Sequence, residues 1–322
     1  MVDQSVGTGI GQSKPTSAGA LTVDLEDWRC ALHPDSRASY LNRPKPNEVY
    51  IRESTRKLIN ELDESGSKAT FFVLGEVARA VPEVIAEISR RGHEIASHSP
   101  VHLPPRMIPR TKLSKMIQED VAMLEHLSGR KPIGFRAPYF AVKKDEGWLF
   151  EMLAACGFQY DSSIVPTRTP YWGIPFAPKT AYFPDFDNLS KPASSGPLLE
   201  FPLSVWPSWR YLPGLPIAGG FYLRAWPQRL LSYMMRSNIR AGIPLVVYIH
   251  PGNLETEKER IKDPTLRDRI SQYVAADRGL SSFRSLLRQF KFDTLANTFS
   301  ERLNTRAFGE RWSDKHQNAY NR

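Results

Sequence analysis

Two histidines four residues apart, His98 and His102, are the first chemically suggestive feature of this 322-residue chain. Imidazoles at that spacing can reach one cation if the segment between them makes a single turn, and imidazole suits zinc and similar divalent ions. Pro100 argues against a regular helix there but permits a loop turn. Ordinary surface or core histidines could carry the same spacing, so the pair alone decides nothing. A second cluster, Asp24, Glu26 and Asp27, closes an apolar run that begins at Ala20. Three adjacent carboxylates repel one another unless a cation or a proton compensates. Asp24 and Glu26 share a face if a strand extends that far, although a solvated turn would use the same residues.

Two further segments carry reactive types. In Gly134–Tyr139 an arginine, Arg136, sits where it can pair with a carboxylate and hold it ionised, and Pro138 shapes a turn that can aim the Tyr139 N–H as an oxyanion donor. His250 ends the apolar run Leu245–Ile249 and is placed as a general acid or as a hydrogen-bonded structural histidine. His33, His93, His126 and His316 have no comparable setting.

The elements that must position these groups alternate between strand-like and helix-like runs. Strands are predicted at Ala20–Leu25, Lys68–Leu74, His93–Ser97 and Ile133–Arg136. Helices are predicted over Arg52–Ser65 and Glu76–Arg91, over a stripe of Leu113, Ile117, Val121 and Leu124 capped by Thr111, and over Asp145–Cys156. Alternation of this kind implies parallel strands with crossover helices, whose chemistry gathers at the C-terminal ends of the strands. The candidate residues fall at those ends. From about Pro166 to Pro227 the pattern gives way to Pro, Gly and aromatics such as Trp172, Trp206, Trp209, Tyr211 and Trp226. Strands at Leu198–Val205 and Gly220–Leu223 are predicted within it. A helix near Pro227–Ala241, a strand at Pro244–His250 and helices at Ser282–Phe290 and Thr294–Leu303 complete one domain over 20–303, between a tail at 1–19 and a polar tail at 304–322.

Composition narrows the class. Hydrophobic residues at 41 % and charged ones at 24 % describe a globular chain, not a disordered one. The net charge of +9 favours anionic partners and leaves peripheral membrane association open. No basic–aromatic block, zinc finger or ribonucleoprotein motif is present, and pairs such as Arg236/Arg240 read as scattered surface, so nucleic acid is not an expected partner. Two cysteines, Cys30 and Cys156, cannot form a disulfide framework or a thiolate cluster. No run has the length of a signal peptide core or a membrane span, which makes a cytoplasmic location the expectation.

Taken together and in this order, the four segments resemble the polysaccharide deacetylase family, the NodB-homology or carbohydrate esterase family 4 domain. That family carries a Thr-Phe-Asp-Asp type motif, a His-(Ser/Thr)-x-x-His motif, an Arg-x-Pro-Tyr motif and a late strand ending in Leu-x-x-His. Here Val23–Asp27, His98–His102, Arg136–Tyr139 and Val247–His250 are similar, with Val247 where leucine is usual, and the phrase Arg91–His98 is typical. The first motif, together with Tyr160–Ile164 and the stretch from Arg278, is similar to a bacterial subgroup that accompanies exopolysaccharide export loci. The resemblance implies an α/β fold, a distorted (β/α) barrel of about seven strands, with a divalent ion of the zinc type at its C-terminal rim.

It implies, too, that His98 and His102 bind the metal, that Asp24 is the general base, and that Arg136 tunes Asp24. The Tyr139 N–H would join the oxyanion hole and His250 would protonate the leaving amine. Because Leu25 interrupts the usual adjacent pair of acids, the third ligand is left between Glu26 and Asp27, and the partner of His250 between Asp161 and Glu200. The activity implied is removal of N-acetyl groups from an acetylated amino-sugar polymer or oligomer of a bacterial polysaccharide or its precursor. A non-sugar amidohydrolase of allantoinase type and a non-catalytic glycan-binding protein on the same fold are the alternatives.

Overall fold

A computed structural model describes residues 18–31, 45–168, 173–207, 214–255 and 266–304. Apart from Ala18, Gly19 and Asn304, both expected tails lie outside the described residues, as do His33, His316, Trp172, Trp209 and Tyr211.

The sheet starts with β1 (Gly19–Leu25), β2 (Thr70–Val73), β3 (Glu94–Ser97), β4 (Gly134–Phe135) and β5 (Tyr160–Asp161), each paired in parallel with the next. An antiparallel pair, β6 (Phe183–Asp185) and β7 (Asn188–Ala193), interrupts the alternation before β8 (Leu199–Glu200) joins β5. A second antiparallel pair, β9 (Val205–Trp206) and β10 (Leu215–Pro216), precedes β11 (Leu245–Ile249) and β12 (Phe292–Asp293), both parallel to β1. The path β11-β1-β2-β3-β4-β5-β8 is a curled, all-parallel sheet, the distorted (β/α) barrel that the sequence implies. Its two end strands are joined by Ser204 rather than by a ladder. The Ser204 N–H donates to Val246 O at 3.1 Å, and the Val246 N–H donates to Ser204 Oγ at 2.8 Å.

Every residue of β1 is buried, as expected of a parallel strand covered on both faces. Leu21, Val23 and Leu25 pack outward against the helices. Ala20, Phe72, Ala96, Tyr160, Leu199, Phe201 and Val246 fill the inner face. Side chains alternate faces along a strand, so the inner positions continue upward as Thr22, Asp24 and Glu26, as His98 beyond Ala96, and as His250 beyond Val246 and Tyr248. The rim is the polar top of an apolar stack.

Helix Glu48–Ser65 begins four residues before its predicted start, because the Asn47 side chain accepts the Tyr50 N–H, and it ends at Gly66 with φ 65°. The predicted helix 76–91 divides into Gly75–Ala80 and Pro82–Arg90, since Val81 precedes a proline and leaves the helical region. Thr111 does not cap: the helix Arg110–Ser128 already begins behind Pro109. The largest departure is at Gly220–Leu223, which forms the helix Gly220–Ala225 instead of a strand. There the chain turns at Gly219 (φ 108°), where a Cβ would meet the Tyr248 ring at 2.6 Å. Of the predicted strand Leu198–Val205 only Leu199–Glu200 joins the main sheet. Helix Leu266–Tyr273 had no sequence counterpart. Cys30 and Cys156 are not joined in a disulfide. Among the described residues, no helix is long and apolar enough to cross a membrane.

Candidate active site

Glu26, His98 and His102 converge at the rim, buried, with one ligand atom from each lying within 4.8 Å of the others. Glu26 Oε2 is 2.6 Å from His102 Nε2 and 3.6 Å from His98 Nε2. Despite that proximity Glu26 Oε2 lacks a properly angled hydrogen bond. A buried carboxylate oxygen facing two imidazole nitrogens, with no hydrogen bond of its own, fits the donor set of a divalent cation. Burial pushes the Glu26 carboxyl up, but the imidazoles of His102 and His250 outweigh it and hold the group well below the usual carboxylate range.

Local geometry aims the histidines. The His98 Nδ1 position is fixed 2.9 Å from Arg136 O, which leaves Nε2 for the centre of the site. Ser99 adopts φ 74°, and the Ser99 and Pro100 carbonyls accept the Gly75 and Glu76 N–H groups at a helix N-terminus. Ser97 Oγ anchors the same turn from below, donating to Asp120 Oδ2 at 2.9 Å and accepting the Ser99 N–H. Burial pushes the Asp120 carboxyl up to about 6.

Arg136, fully buried, is the hub. Its Nη1 donates to Asp24 Oδ1 at 2.7 Å and Thr22 Oγ1 at 2.8 Å, its Nη2 to Ser162 Oγ at 2.8 Å, and its Nε to Ser162 O at 2.9 Å. The guanidinium lies 4.1 Å from the Phe72 ring centroid, on the apolar floor. Thr22 and Ser162 escaped the sequence reading, although their positions one pleat below Asp24 and just beyond β5 are the available signal. Tyr139 follows Pro138 in a left-handed conformation (φ 61°), and its ring packs 4.2 Å from that of His102.

On the far side of Asp24, His250 Nε2 is 3.2 Å from Glu26 Oε1 and 4.0 Å from Asp24 Oδ2. Burial lowers its pKa, but Glu26 and Asp24 raise it further, and the net displacement is upward. Its other edge is held by Asn253, whose backbone N–H reaches the His250 side chain while its Oδ1 accepts the His250 N–H at 2.8 Å. Sequence reading missed Asn253 because Pro251-Gly252-Asn253 reads as a plain turn.

Two candidates take other places. Asp27 does not join the ligand cluster: Asp27 Oδ2 accepts the Asn47 N–H at 2.7 Å and ties the rim to the helix that starts there. Asp161 accepts the Ser163 N–H and hydroxyl at 2.9 and 2.8 Å, and Ser163 Oγ in turn accepts the Ala137 N–H at 2.8 Å. This bracket supports the Arg136–Tyr139 turn instead of His250. Burial raises the carboxyls of both Asp161 and Glu200, and the neighbouring Asp161 charge pushes Glu200 well above the usual carboxylate range.

Residues 45–160 match the family model described as polysaccharide deacetylase, and residues 162–300 match DUF3473, a domain of unknown function. A peptidoglycan-N-acetylglucosamine deacetylase of Bacillus cereus is 30 % identical over 94 residues, 29 % of this chain and 34 % of that protein. A peptidoglycan deacetylase-like protein of Gibberella zeae is 29 % identical over 115 residues, 35 % of this chain and 33 % of its own length. The matches thus span about a third of these relatives. A Mycobacterium smegmatis protein assigned as a polysaccharide deacetylase superposes with a TM-score of 0.51 at 19 % identity, covering 91 % of this chain and 92 % of that one. Puue allantoinase gives 0.53 at 14 % identity, covering 94 % and 99 %. Both likenesses concern the fold alone.

Proposed function

We propose that this chain, whose residues 45–160 match the polysaccharide deacetylase family, is a metal-dependent hydrolase removing N-acetyl groups from the amino sugars of a bacterial polysaccharide or its precursor. The observation that carries this reading is the convergence of Glu26, His98 and His102, with Asp24 and His250 flanking them. Those three side chains would hold an ion of the zinc type, which when bound polarises an amide carbonyl and acidifies a water.

The remaining work falls to the chain's own groups. Asp24, oriented by Arg136, accepts the proton of the attacking water. The Tyr139 backbone N–H, set by the left-handed turn, is the candidate donor to the developing oxyanion. An amine leaves poorly until protonated, and His250, positioned through Asn253, delivers that proton from the opposite side. The low exposure of Asp24, Glu26, His98 and His102 keeps bulk water from competing with these contacts.

The test is acetate release from N-acetylglucosamine oligomers by the purified protein, with and without a chelator, and by Asp24→Asn. The expected result is turnover that chelation abolishes and a divalent ion restores, together with a loss of about a thousandfold or more in Asp24→Asn. Turnover untouched by both perturbations would reject the mechanism.

A further inference from the structure

Between Glu200 and Glu255 the chain has no Asp, Glu or Lys, but it has Arg210, Arg224, Arg229, Arg236 and Arg240. Between Asp277 and Asp293 there is again no carboxylate, and Arg278, Arg284, Arg288 and Lys291 occur. Two helices drawn from these stretches, Gln228–Arg240 and Gly279–Gln289, pack together on the outer wall of the barrel. A groove of about 510 Å³ runs along them, lined among others by Arg229, Ser232, Arg236, Arg240, Ser285 and Gln289. Arg229, Arg236 and Arg240 follow one helix face, and the rise per residue spreads them over about 16 Å.

Several arginines elsewhere on the surface are paired with carboxylates. Arg52 pairs with Glu48 and Glu83, Arg56 with Glu87, and Arg91 with Asp63 and Glu87. Arg284 turns from the groove helix to Glu61. The three groove arginines have no ion pair among the described residues, and Arg236 rests over the Phe290 ring at 5.0 Å. Residues such as Arg236 and Arg240, which look scattered in the sequence, are therefore gathered in space. Three guanidiniums along one helix face, without a carboxylate in either helix, form a positive field that an external anion would neutralise.

We propose that this groove is a second, non-catalytic site that binds an acidic stretch of glycan, its arginines pairing with uronate carboxylates. Arginine in place of lysine throughout fits bidentate recognition of a planar carboxylate. The hydroxyls of Ser232 and Ser285 and the amide of Gln289 offer neutral hydrogen bonds suited to sugar hydroxyls. The carbohydrate nature of the ligand rests on the activity proposed above; the demand for an anion does not.

Titration calorimetry on the full chain, with a hyaluronan octasaccharide as acidic probe and a chitin hexamer as neutral control, tests the site. The comparison protein is R229Q/R240Q, with R236K as a second variant that keeps the contact over Phe290. Hyaluronan should bind more tightly than chitin, weaken as salt rises, and lose about tenfold in R229Q/R240Q, while chitin binding and acetate release from chitin oligomers stay unchanged. Equal binding of both sugars, an unaltered R229Q/R240Q, or arginine-dependent binding confined to phosphatidylglycerol vesicles would overturn the proposal. Binding that persists in a protein unable to release acetate would leave the groove standing and remove the activity instead.

Discussion

Replacing Arg136 with methionine tests the interior of the site most directly. Asp24 is 1 % exposed, and its Oδ1 accepts from Arg136 Nη1 at 2.7 Å. Methionine fills part of the guanidinium's volume over Phe72 but leaves the carboxylate buried without its counter-charge. It also removes the donors to Thr22 Oγ1, Ser162 O and Ser162 Oγ. Breaking one side of a buried ion pair costs about 3–5 kcal/mol. For a domain of this size that corresponds to a fall in Tm of roughly 6–10 °C. Asp24→Asn alone removes the charge and keeps the shape, so it should cost less. In the double variant no charge is stranded, and its cost should undercut the sum of the single costs by on the order of 2 kcal/mol. Urea unfolding of the four proteins, stripped of metal with a chelator, measures the cycle. Single costs that add within about 0.5 kcal/mol would show that Arg136 and Asp24 are not energetically coupled and that the hub is misread.

Further expectations concern neighbouring residues. Glu26→Gln should weaken zinc binding by about tenfold or more in a chelator competition, whereas Asp27→Asn should leave it unchanged, because Glu26 faces the imidazoles while Asp27 Oδ2 accepts the Asn47 N–H. Gly220→Ala would place a Cβ 1.8 Å from Asn253 Oδ1; the resulting shift of His250 should lower kcat by about a hundredfold with zinc affinity preserved. His93 is 6 % exposed, and burial pushes it down to about 4 from 6.5. The unfolded chain then binds more protons than the folded one between those values, so stability is whole above pH 6.5 and declines toward pH 4 by up to about 3 kcal/mol. Chemical melts across that range should show His93→Gln with a distinctly flatter dependence; an unchanged slope would remove His93 as its source.

The barrel, and the meeting of Asp24, Glu26, His98, His102, Arg136 and His250 at one rim, were legible in the sequence because side chains at the ends of parallel strands gather there. The apolar run Ala20–Val23 followed by Asp24, and Leu245–Ile249 followed by His250, each declare a strand and its functional tip. That Glu26 rather than Asp27 lies beside the two imidazoles was not legible, since pleat alternation favours residue 26 only if the strand direction continues past Leu25. The partner of His250 stayed hidden for a different reason: Asn253 acts through a turn geometry that its residue type does not announce. Gly220–Ala225 misled because Phe221 and Tyr222 favour strands, while the approach of Tyr248 and Asn253 to Gly219 and Gly220 forces a tighter path. The groove arginines were visible as types but not as neighbours.

The two family matches meet between residues 160 and 162, and that border runs through the middle of the machinery. Arg136 lies before it, while the Ser162 atoms that seat Arg136 lie after it. The strand carrying His250 belongs to the second segment yet pairs along β1, which precedes both. Neither segment is therefore a transferable module. Excised, the first would present the raw edges of β2 and β5 and a guanidinium without its seat; the second would be strands without a centre. A chimera that exchanges one segment alone would therefore have to rebuild both the seat of Arg136 on Ser162 and the pairing of β1 with the strand before His250.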